Sequence, residues 1–413
     1  MYNKNRQSRS SSSPRRNKFK GSRAGGGRGG NFRGGRPNRG PRKMPTFNPS
    51  RFINTNPVDV VEEEYVAKHN FKTFGLNGRL TETLTTMGIV TPTPIQDQII
   101  PEILAGRDVI GLAETGTGKT AAFLLPLIEK TLKDNNRQTL IITPTRELAI
   151  QIDDELKKLG RGFKLPSVIC VGGVNIRPQI NALRRYNNFI IGTPGRLLDL
   201  IRQKHLKTYE ISTVVLDEAD RMLDMGFIGD IKNIVSKTPT DRETLLFSAT
   251  FDARTKGLAK EFLHNPVEVS VKKKDITNSI EQDVITYKGD EKFSKLLNLL
   301  SDKDFKRVII FGAMKHVVKK LAQDLSARGI KAESLHGNKS HGQRQRSLAK
   351  FKKAEARVLV ATDVAARGIH VEGVSHVINY DLPGTFEDYV HRIGRTGRAT
   401  KRGKALTFVP SAK

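Results

Sequence analysis

Two tandem α/β domains with parallel sheets, preceded by a disordered basic tail, are what this sequence predicts. Three observations carry that reading. From about residue 71 onward, short fully apolar runs alternate with helical stretches. The alternation breaks once, in the polar stretch Val271-Lys272-Lys273-Lys274-Asp275, and then resumes. The first 50 residues have a composition unlike anything after them. A chain of 413 residues is long enough for two ordinary domains, each with its own core.

Asp108-Val109-Ile110-Gly111-Leu112 reads as a buried strand, with a helix following through Ala121-Ala122-Phe123-Leu124-Leu125. Leu140-Ile141-Ile142 is a second strand, followed by a helix starting near Arg146. Phe189-Ile190-Ile191, Val214-Val215-Leu216 and Leu245-Leu246-Phe247 continue the series. After the break, Val308-Ile309-Ile310-Phe311, Val358-Leu359-Val360 and Val377-Ile378 repeat it. Strands that are apolar throughout, with helices between them, belong to a parallel sheet covered on both faces. The expected boundaries are a tail over 1–50, a connector over 51–70, domain one over 71–271, a linker over 272–278 and domain two over 279–413.

The formal net charge is +29, and the first 50 residues supply +14 of it with no Asp or Glu at all. Such an excess points to a polyanionic partner through counterion release, although membrane surfaces are anionic too. No apolar run is long enough to span a membrane and none marks a signal peptide, so no membrane role is expected. The tail holds nine Gly between Gly21 and Gly40, too little apolar surface to offset its chain entropy. Arg28-Gly29-Gly30, Phe32-Arg33-Gly34-Gly35, Arg36 and Arg39 suit loose RNA binding by charge and stacking, or a merely solubilising tail. The single cysteine, Cys170, lies in an apolar run and reads as a buried strand residue, which fits a reducing, cytoplasmic setting. No Cys/His spacing suggests zinc, and His69, His205, His264 and His316 read as surface or packing residues.

Ala113-Glu114-Thr115-Gly116-Thr117-Gly118-Lys119-Thr120 follows a strand and opens a helix. This is the phosphate-binding pattern, whose glycines let backbone N–H groups wrap phosphates at a helix N-terminus. Lys119 would neutralise β/γ-phosphate charge and the Thr120 hydroxyl would hold Mg²⁺. Such a site needs a second acidic strand end, and Asp217-Glu218-Ala219-Asp220 follows the run ending at Leu216. Asp217 would help position the metal, partly through water, and Glu218 could polarise the attacking water.

That tetrapeptide is the signature of the DEAD-box RNA helicases, which the chain resembles from about Phe71 to Val409. The resemblance implies two RecA-like domains, an ATP and Mg²⁺ requirement, and an RNA partner gripped with little sequence specificity. Phe71 and Thr93-Pro94-Ile95-Gln96 look like the family's adenine-reading motif, with Phe71 on the base and Gln96 on its edge. Pro144-Thr145-Arg146-Glu147, Gly172-Gly173 and Thr193-Pro194-Gly195-Arg196 resemble RNA-contacting motifs, the glycines allowing close backbone approach. Ser248-Ala249-Thr250 resembles the motif coupling hydrolysis to unwinding. In domain two, Val308 to Gly312, then Gln343 and Arg346, resemble further RNA-facing motifs. So does Ala361 to Gly368, with Thr362 and Asp363 toward RNA and Gly368 toward ATP. His391-Arg392-Ile393-Gly394-Arg395-Thr396-Gly397-Arg398 matches the last motif in full, implying catalytic His391, Arg395 and Arg398. Three residues apart, those two arginines would share one helix face.

Two rival readings are an RNA clamp with a vestigial ATPase and a DNA-directed translocase. Intact Lys119, Asp217, Glu218, Arg395 and Arg398 argue against the first; Gln96 and the tetrapeptide argue against the second. The core is expected to act as a monomer, with ribosomal or other RNP partners reached through the tail. The sequence ends soon after the run Ala405 to Val409, so no partner-binding extension is expected there.

One departure from the family stands out. His370 occupies a position where the family usually places Asp near the ATP ribose. The expected outcome is that His370→Asp tightens nucleotide binding, read by titrating a fluorescent ATP analogue; unchanged or weaker binding contradicts it.

Overall fold

A computed structural model describes residues 52–54, 65–114, 116–271, 280–366, 371, 373–397 and 403–411. The tail, the linker, Thr115, Gly368, His370 and Arg398 lie outside the described residues, and so do the expectations that fall on them.

In domain one the order is α1 Gly78–Thr86, α2 Pro94–Leu104, β1 Val109–Leu112, α3 Lys119–Lys133, β2 Gln138–Ile142, α4 Arg146–Leu159, β3 Ser167–Cys170 and α5 Ile176–Leu183. It continues through β4 Phe189–Gly192, α6 Pro194–Arg202, β5 Ile211–Leu216, α7 Ala219–Asp224, α8 Ile228–Val235, β6 Glu243–Ser248, α9 Ala253–Phe262 and β7 Val267–Ser270. Its strands form one parallel seven-stranded sheet in the order β3-β4-β2-β5-β6-β1-β7.

Domain two begins with β8 Ile280–Tyr287, α10 Glu291–Ser301, β9 Val308–Phe311, α11 Lys315–Ala327, β10 Ala332–Leu335 and α12 His341–Lys352. It ends with β11 Val358–Ala361, α13 Asp363–Ala366, β12 His376–Asn379, α14 Phe386–Ile393 and β13 Gly403–Pro410. Here the parallel order is β10-β11-β9-β12-β13-β8.

The strands are apolar throughout because both faces of each sheet are covered. Along β1, Val109 packs into one cluster and Ile110 into the other; along β6, Leu245 and Phe247 go one way and Leu246 the other. The same split divides Val308 and Ile310 from Ile309 and Phe311 on β9. Each fully buried aliphatic side chain contributes about 1.5–3 kcal/mol. Cys170 closes β3 in the core, where burial pushes its thiol up to about 12, so it is a packing residue.

Two expectations need correction. Asp108 is not part of β1; its carboxylate instead accepts from the Thr244 and His264 amides, at 2.7 Å each. The connector is not featureless either. Phe52 is buried in domain two, and Tyr65, Lys68 and His69 bond to Asp97 in domain one. His69 is thus paired rather than isolated, its Nδ1 lying 2.8 Å from Asp97 Oδ1.

Gly111 shows how tightly the nucleotide-bearing strand is packed. A Cβ there would sit 2.7 Å from the Phe247 ring and 2.8 Å from Ile99 Cδ1. Overpacking of this kind typically costs about 1–3 kcal/mol. Gly111→Ala is therefore expected to lower the unfolding free energy of domain one by that amount, measured by urea titration; an unchanged free energy contradicts the packing.

Candidate active site and nucleic-acid interface

Parallel α/β sheets bind ligands at the carboxyl ends of their strands, and here β1, β5 and β6 end side by side. Leu112 pairs with Ser248 in register, and the Ala113 amide donates to the Ser248 carbonyl at 3.0 Å. The Asp217 amide donates to the Ile142 carbonyl of β2 at 3.0 Å, and the acidic tetrapeptide leaves the end of β5, which only β6 separates from β1.

Gly118 caps α3 at φ +91, and Gly116 shares that value. At Gly118 a side chain is excluded twice over, since a Cβ would lie 2.5 Å from Gln96 Nε2. Gln96 is bound into the loop itself: its Oε1 accepts from the Thr93 amide at 3.0 Å and its Nε2 donates to the Gly118 carbonyl at 3.2 Å. One amide hydrogen and one lone pair remain for a base edge. Phe71 is 5% exposed, its ring edge-on to Phe74 with centroids 5.9 Å apart. Thr117 donates to the Glu114 carbonyl at 2.8 Å and shapes the loop, while Thr120 is half-buried in the first turn of α3.

Lys119 is 7% exposed, and its Nζ has no hydrogen-bond partner within the protein. A cation this deep requires compensation. Asp217 faces the complementary problem: burial raises its carboxyl to about 7 despite the pull of Lys119, with Glu218 and Asp220 adding repulsion. An unsatisfied buried ammonium beside a carboxyl starved of positive charge fits a phosphate chain with a divalent cation. Lys119 and the loop amides would hold the phosphates, Thr120 and Asp217 the Mg²⁺.

Glu218 sits in left-handed backbone at φ +53, a conformation costly for a non-glycine residue and often found at functional positions. Burial pushes its pKa up, but Arg221, Lys119 and Arg395 outweigh that and hold the carboxylate below its ordinary range. Arg395 belongs to domain two, so the two domains already meet electrostatically at this carboxylate. It is not on a helix face, as its spacing had suggested: α14 ends at Ile393 and Gly394 caps it, placing Arg395 in the following turn. His391 is exposed on the last turn of α14.

Asp220 was passed over in the sequence and proves to be a hub. Its Oδ2 accepts from the Ala249 and Thr250 amides at 3.1 and 2.9 Å and from the Thr250 hydroxyl at 3.1 Å. Ser248 Oγ donates to the Thr250 carbonyl at 2.7 Å and accepts from the Asp220 amide at 3.3 Å. The tetrapeptide and Ser248-Ala249-Thr250 therefore form one rigid unit.

A cavity of about 390 Å³ brings together most of the residues expected to face RNA: Pro144, Thr145, Arg146, Gly172, Thr193, Gly195 and Arg196 from domain one, with Arg344 and Val364 from domain two. Pro194 is buried behind it, starting α6. Arg196 donates to the Val174 carbonyl at 3.2 Å, while its Nη1 is buried without a partner. The Thr145 hydroxyl caps α4 by accepting from Leu148 N at 3.3 Å.

Four of the residues expected to face RNA, or their neighbours, also have partners within the protein. Gly173 has φ +69, and a Cβ on it would collide with the Arg146 guanidinium, so the glycine makes room for that arginine. In domain two the cavity residue is Arg344, whose Nη2 lies 3.0 Å from Glu147 of domain one. Arg346 is instead exposed, donating to the Gly342 carbonyl at 3.3 Å, and Gln343 caps its own helix. Gly312 is buried, where a Cβ would meet Val318 at 3.0 Å, and so serves packing. The Asp363 carboxylate is held by Arg392 through both oxygens, the second bond measuring 2.8 Å, which makes it a brace for α14. Neighbouring Thr362 stays half-buried.

The chain matches the family described as DEAD/DEAH box helicase over residues 93–257 and the helicase conserved C-terminal domain over 291–400. It is 48% identical to the DEAD-box ATP-dependent RNA helicase CshA of Bacillus licheniformis, over 82% of this chain and 70% of that one. The solved structure of S. cerevisiae Dbp5 bound to RNA and ADP BeF3 aligns with a TM-score of 0.74 at 32% identity, covering 83% of this chain and 90% of that one. A DEAD box protein from the hyperthermophile Methanococcus jannaschii aligns at 0.50 despite 40% identity, covering 84% and 94%.

The Asp220 hub gives a measurable expectation. Hydrogen bonds to a charged group are worth about 1.5–3 kcal/mol, so Asp220→Ala should speed amide exchange at Ala249 and Thr250 by roughly 10- to 100-fold. Unchanged exchange at both amides contradicts the hub.

Proposed function

Because the chain belongs to the DEAD-box family of ATP-dependent RNA helicases, we propose that it hydrolyses ATP to ADP and phosphate as its two domains close on RNA. Closure bends one strand, which a duplex cannot follow without losing pairs, so short duplexes or RNPs are opened locally. The observation that carries this reading is geometric: Arg344 of domain two lies 3.0 Å from Glu147 of domain one, at the cavity that also gathers Arg146 and Arg196.

Bound Mg²⁺-ATP supplies the electrophilic phosphorus and the cation that this site is built to meet. Gln96 offers its remaining donor and acceptor to the adenine edge. Lys119 and the amides around Gly116 and Gly118 neutralise and orient the phosphates. Thr120 and Asp217 hold the metal side. Glu218, kept ionised by its three cationic neighbours, orients the attacking water and takes its proton. Arg395 adds positive charge at the transferring group only while the domains are together.

Arg146, Arg196 and Arg344 supply the positive wall of the RNA groove, and Thr145, Thr193 and Thr362 supply hydroxyls. Such contacts fix a backbone without reading sequence. The domain arrangement supports the reading, since the chain aligns with Dbp5 bound to RNA and ADP BeF3 at a TM-score of 0.74 but with the Methanococcus protein, despite its higher identity, at 0.50. The single buried Cys170 suits a reducing compartment, so the cytoplasm is the proposed location. A monomeric core, with RNA or RNP partners gathered by the Arg/Gly-rich first 50 residues, completes the proposal.

Steady-state hydrolysis is expected to rise strongly with single-stranded RNA and far less with DNA of equal length. Glu218→Gln should abolish it, and Arg395→Ala should lower kcat by about 10³-fold or more. Equal stimulation by RNA and DNA, or full activity in either variant, contradicts the proposal.

A further inference from the structure

The nucleotide and groove residues of domain one sit at the carboxyl ends of its strands. At the other end, where β2, β4 and β5 begin, a second cavity of about 410 Å³ is walled by Arg184, Arg185, Tyr186, Lys204 and Lys207. Against these four cations the lining holds one acid, Glu210, which leaves a formal charge of +3. Glu210 lies 3.6 Å from Lys207, while Arg184, Arg185 and Lys204 make no ion pair among the described residues.

Two short helices deliver these side chains. Both α5 and α6 start by the RNA-facing cavity, soon after Gly172 and Thr193, and both end at this far surface. Beyond α5, buried Asn187 donates to the Ala182 and Arg185 carbonyls at 3.0 and 2.7 Å, fixing the turn that presents Tyr186. Beyond α6, Lys204 takes left-handed backbone at φ +60 and the His205 amide donates to the Leu200 carbonyl at 2.9 Å. Leu206 is buried there and pins the segment that carries Lys204 and Lys207. Tyr186 is 44% exposed; nearby Tyr209 is 67% exposed, with Lys207 Nζ 6.0 Å from its ring centroid. Helix dipoles favour cations at such ends, but they do not account for two exposed rings among them.

Exposed cations interleaved with rings are what single-stranded nucleic acid needs, because charge tracks the phosphates and a ring stacks on any base. An acidic peptide would use the cations and leave the rings idle. The distance also suits a strand already held in the groove. At eight and nine residues, α5 and α6 span about 12–14 Å. At about 3.4 Å per nucleotide that is roughly four or five nucleotides of continuing strand.

We propose that this end of domain one is a second RNA-contacting surface, which takes the single strand beyond the stretch gripped between the domains. Arg184, Arg185 and Lys204 meet its phosphates and Tyr186 stacks on a base. Such contacts carry no sequence information, but two grips on one strand reinforce each other through effective concentration, so long RNA is held more tightly than short. The inference rests on RNA as the occupant of the groove and not on ATP hydrolysis.

The test titrates the full chain at several salt concentrations with poly-U RNA of about 6 nucleotides, enough for one grip, and of about 30. One variant combines Arg184→Gln, Arg185→Gln and Lys204→Gln; others carry Tyr186→Ala or Tyr186→Phe. The triple variant is expected to bind the long RNA at least tenfold more weakly, with the slope of log affinity against log salt reduced by about 2, and the short RNA within about twofold. Tyr186→Ala should weaken the long RNA about fivefold or more, and Tyr186→Phe should recover that loss. A photoreactive thiouridine at the end of the long RNA should crosslink to the peptide that holds Tyr186. Equal losses on both RNAs, or crosslinks only elsewhere, overturn the proposal. An unmoved long-RNA affinity with poly-glutamate binding lost in the triple variant assigns the surface to an acidic protein and overturns it too. Failure of the short RNA to bind the unaltered chain contradicts the proposed groove, while the long-RNA comparison still decides this surface.

Discussion

Lys119, Asp217 and Glu218 are buried beyond the ends of two parallel strands, β1 and β5, and charges held that deep are costly unless matched. The protein leaves the match incomplete. Lys119 has no hydrogen-bond partner, and the Asp217 carboxyl is raised to about 7. A polyphosphate and a divalent cation, as proposed, would supply the charges that this cluster lacks. The seven-stranded sheet, the glycine loop and the left-handed Glu218 all serve to hold these groups at one spot.

From that cluster the structure branches in two directions. Asp220 fastens the tetrapeptide to Ser248-Ala249-Thr250, so a change at the phosphate end is felt along β6 and its exit loop. Arg395 bears on Glu218 from domain two, while Arg344 reaches Glu147 on the RNA-facing side. On the proposed function, closing the domains would bring the nucleotide and RNA sites to depend on a single arrangement.

Much of this was legible in the sequence because the chemistry is written in contiguous motifs. The phosphate loop, the acidic tetrapeptide and the period of the strands each sit within a few neighbouring residues. What escaped was long-range pairing. Nothing local marks Phe52 as a core residue of domain two, or Arg344 rather than Arg346 as the groove arginine. Gly173 reads as a gap for an incoming backbone until Arg146 is seen filling it. Asp363 reads as a ligand contact until Arg392, 29 positions later, takes both its oxygens. Arg395 lost its assumed helix because Gly394 and Gly397, the latter at φ +68, end α14 early.

The central claim is that nucleotide and RNA favour the same closed arrangement, and linkage makes it directly measurable. Binding of a non-hydrolysable ATP analogue is titrated with and without single-stranded RNA, and RNA binding with and without the analogue. The account predicts mutual tightening by the same factor, about tenfold or more. A factor near one in both directions would mean that the two sites ignore each other, and would contradict it.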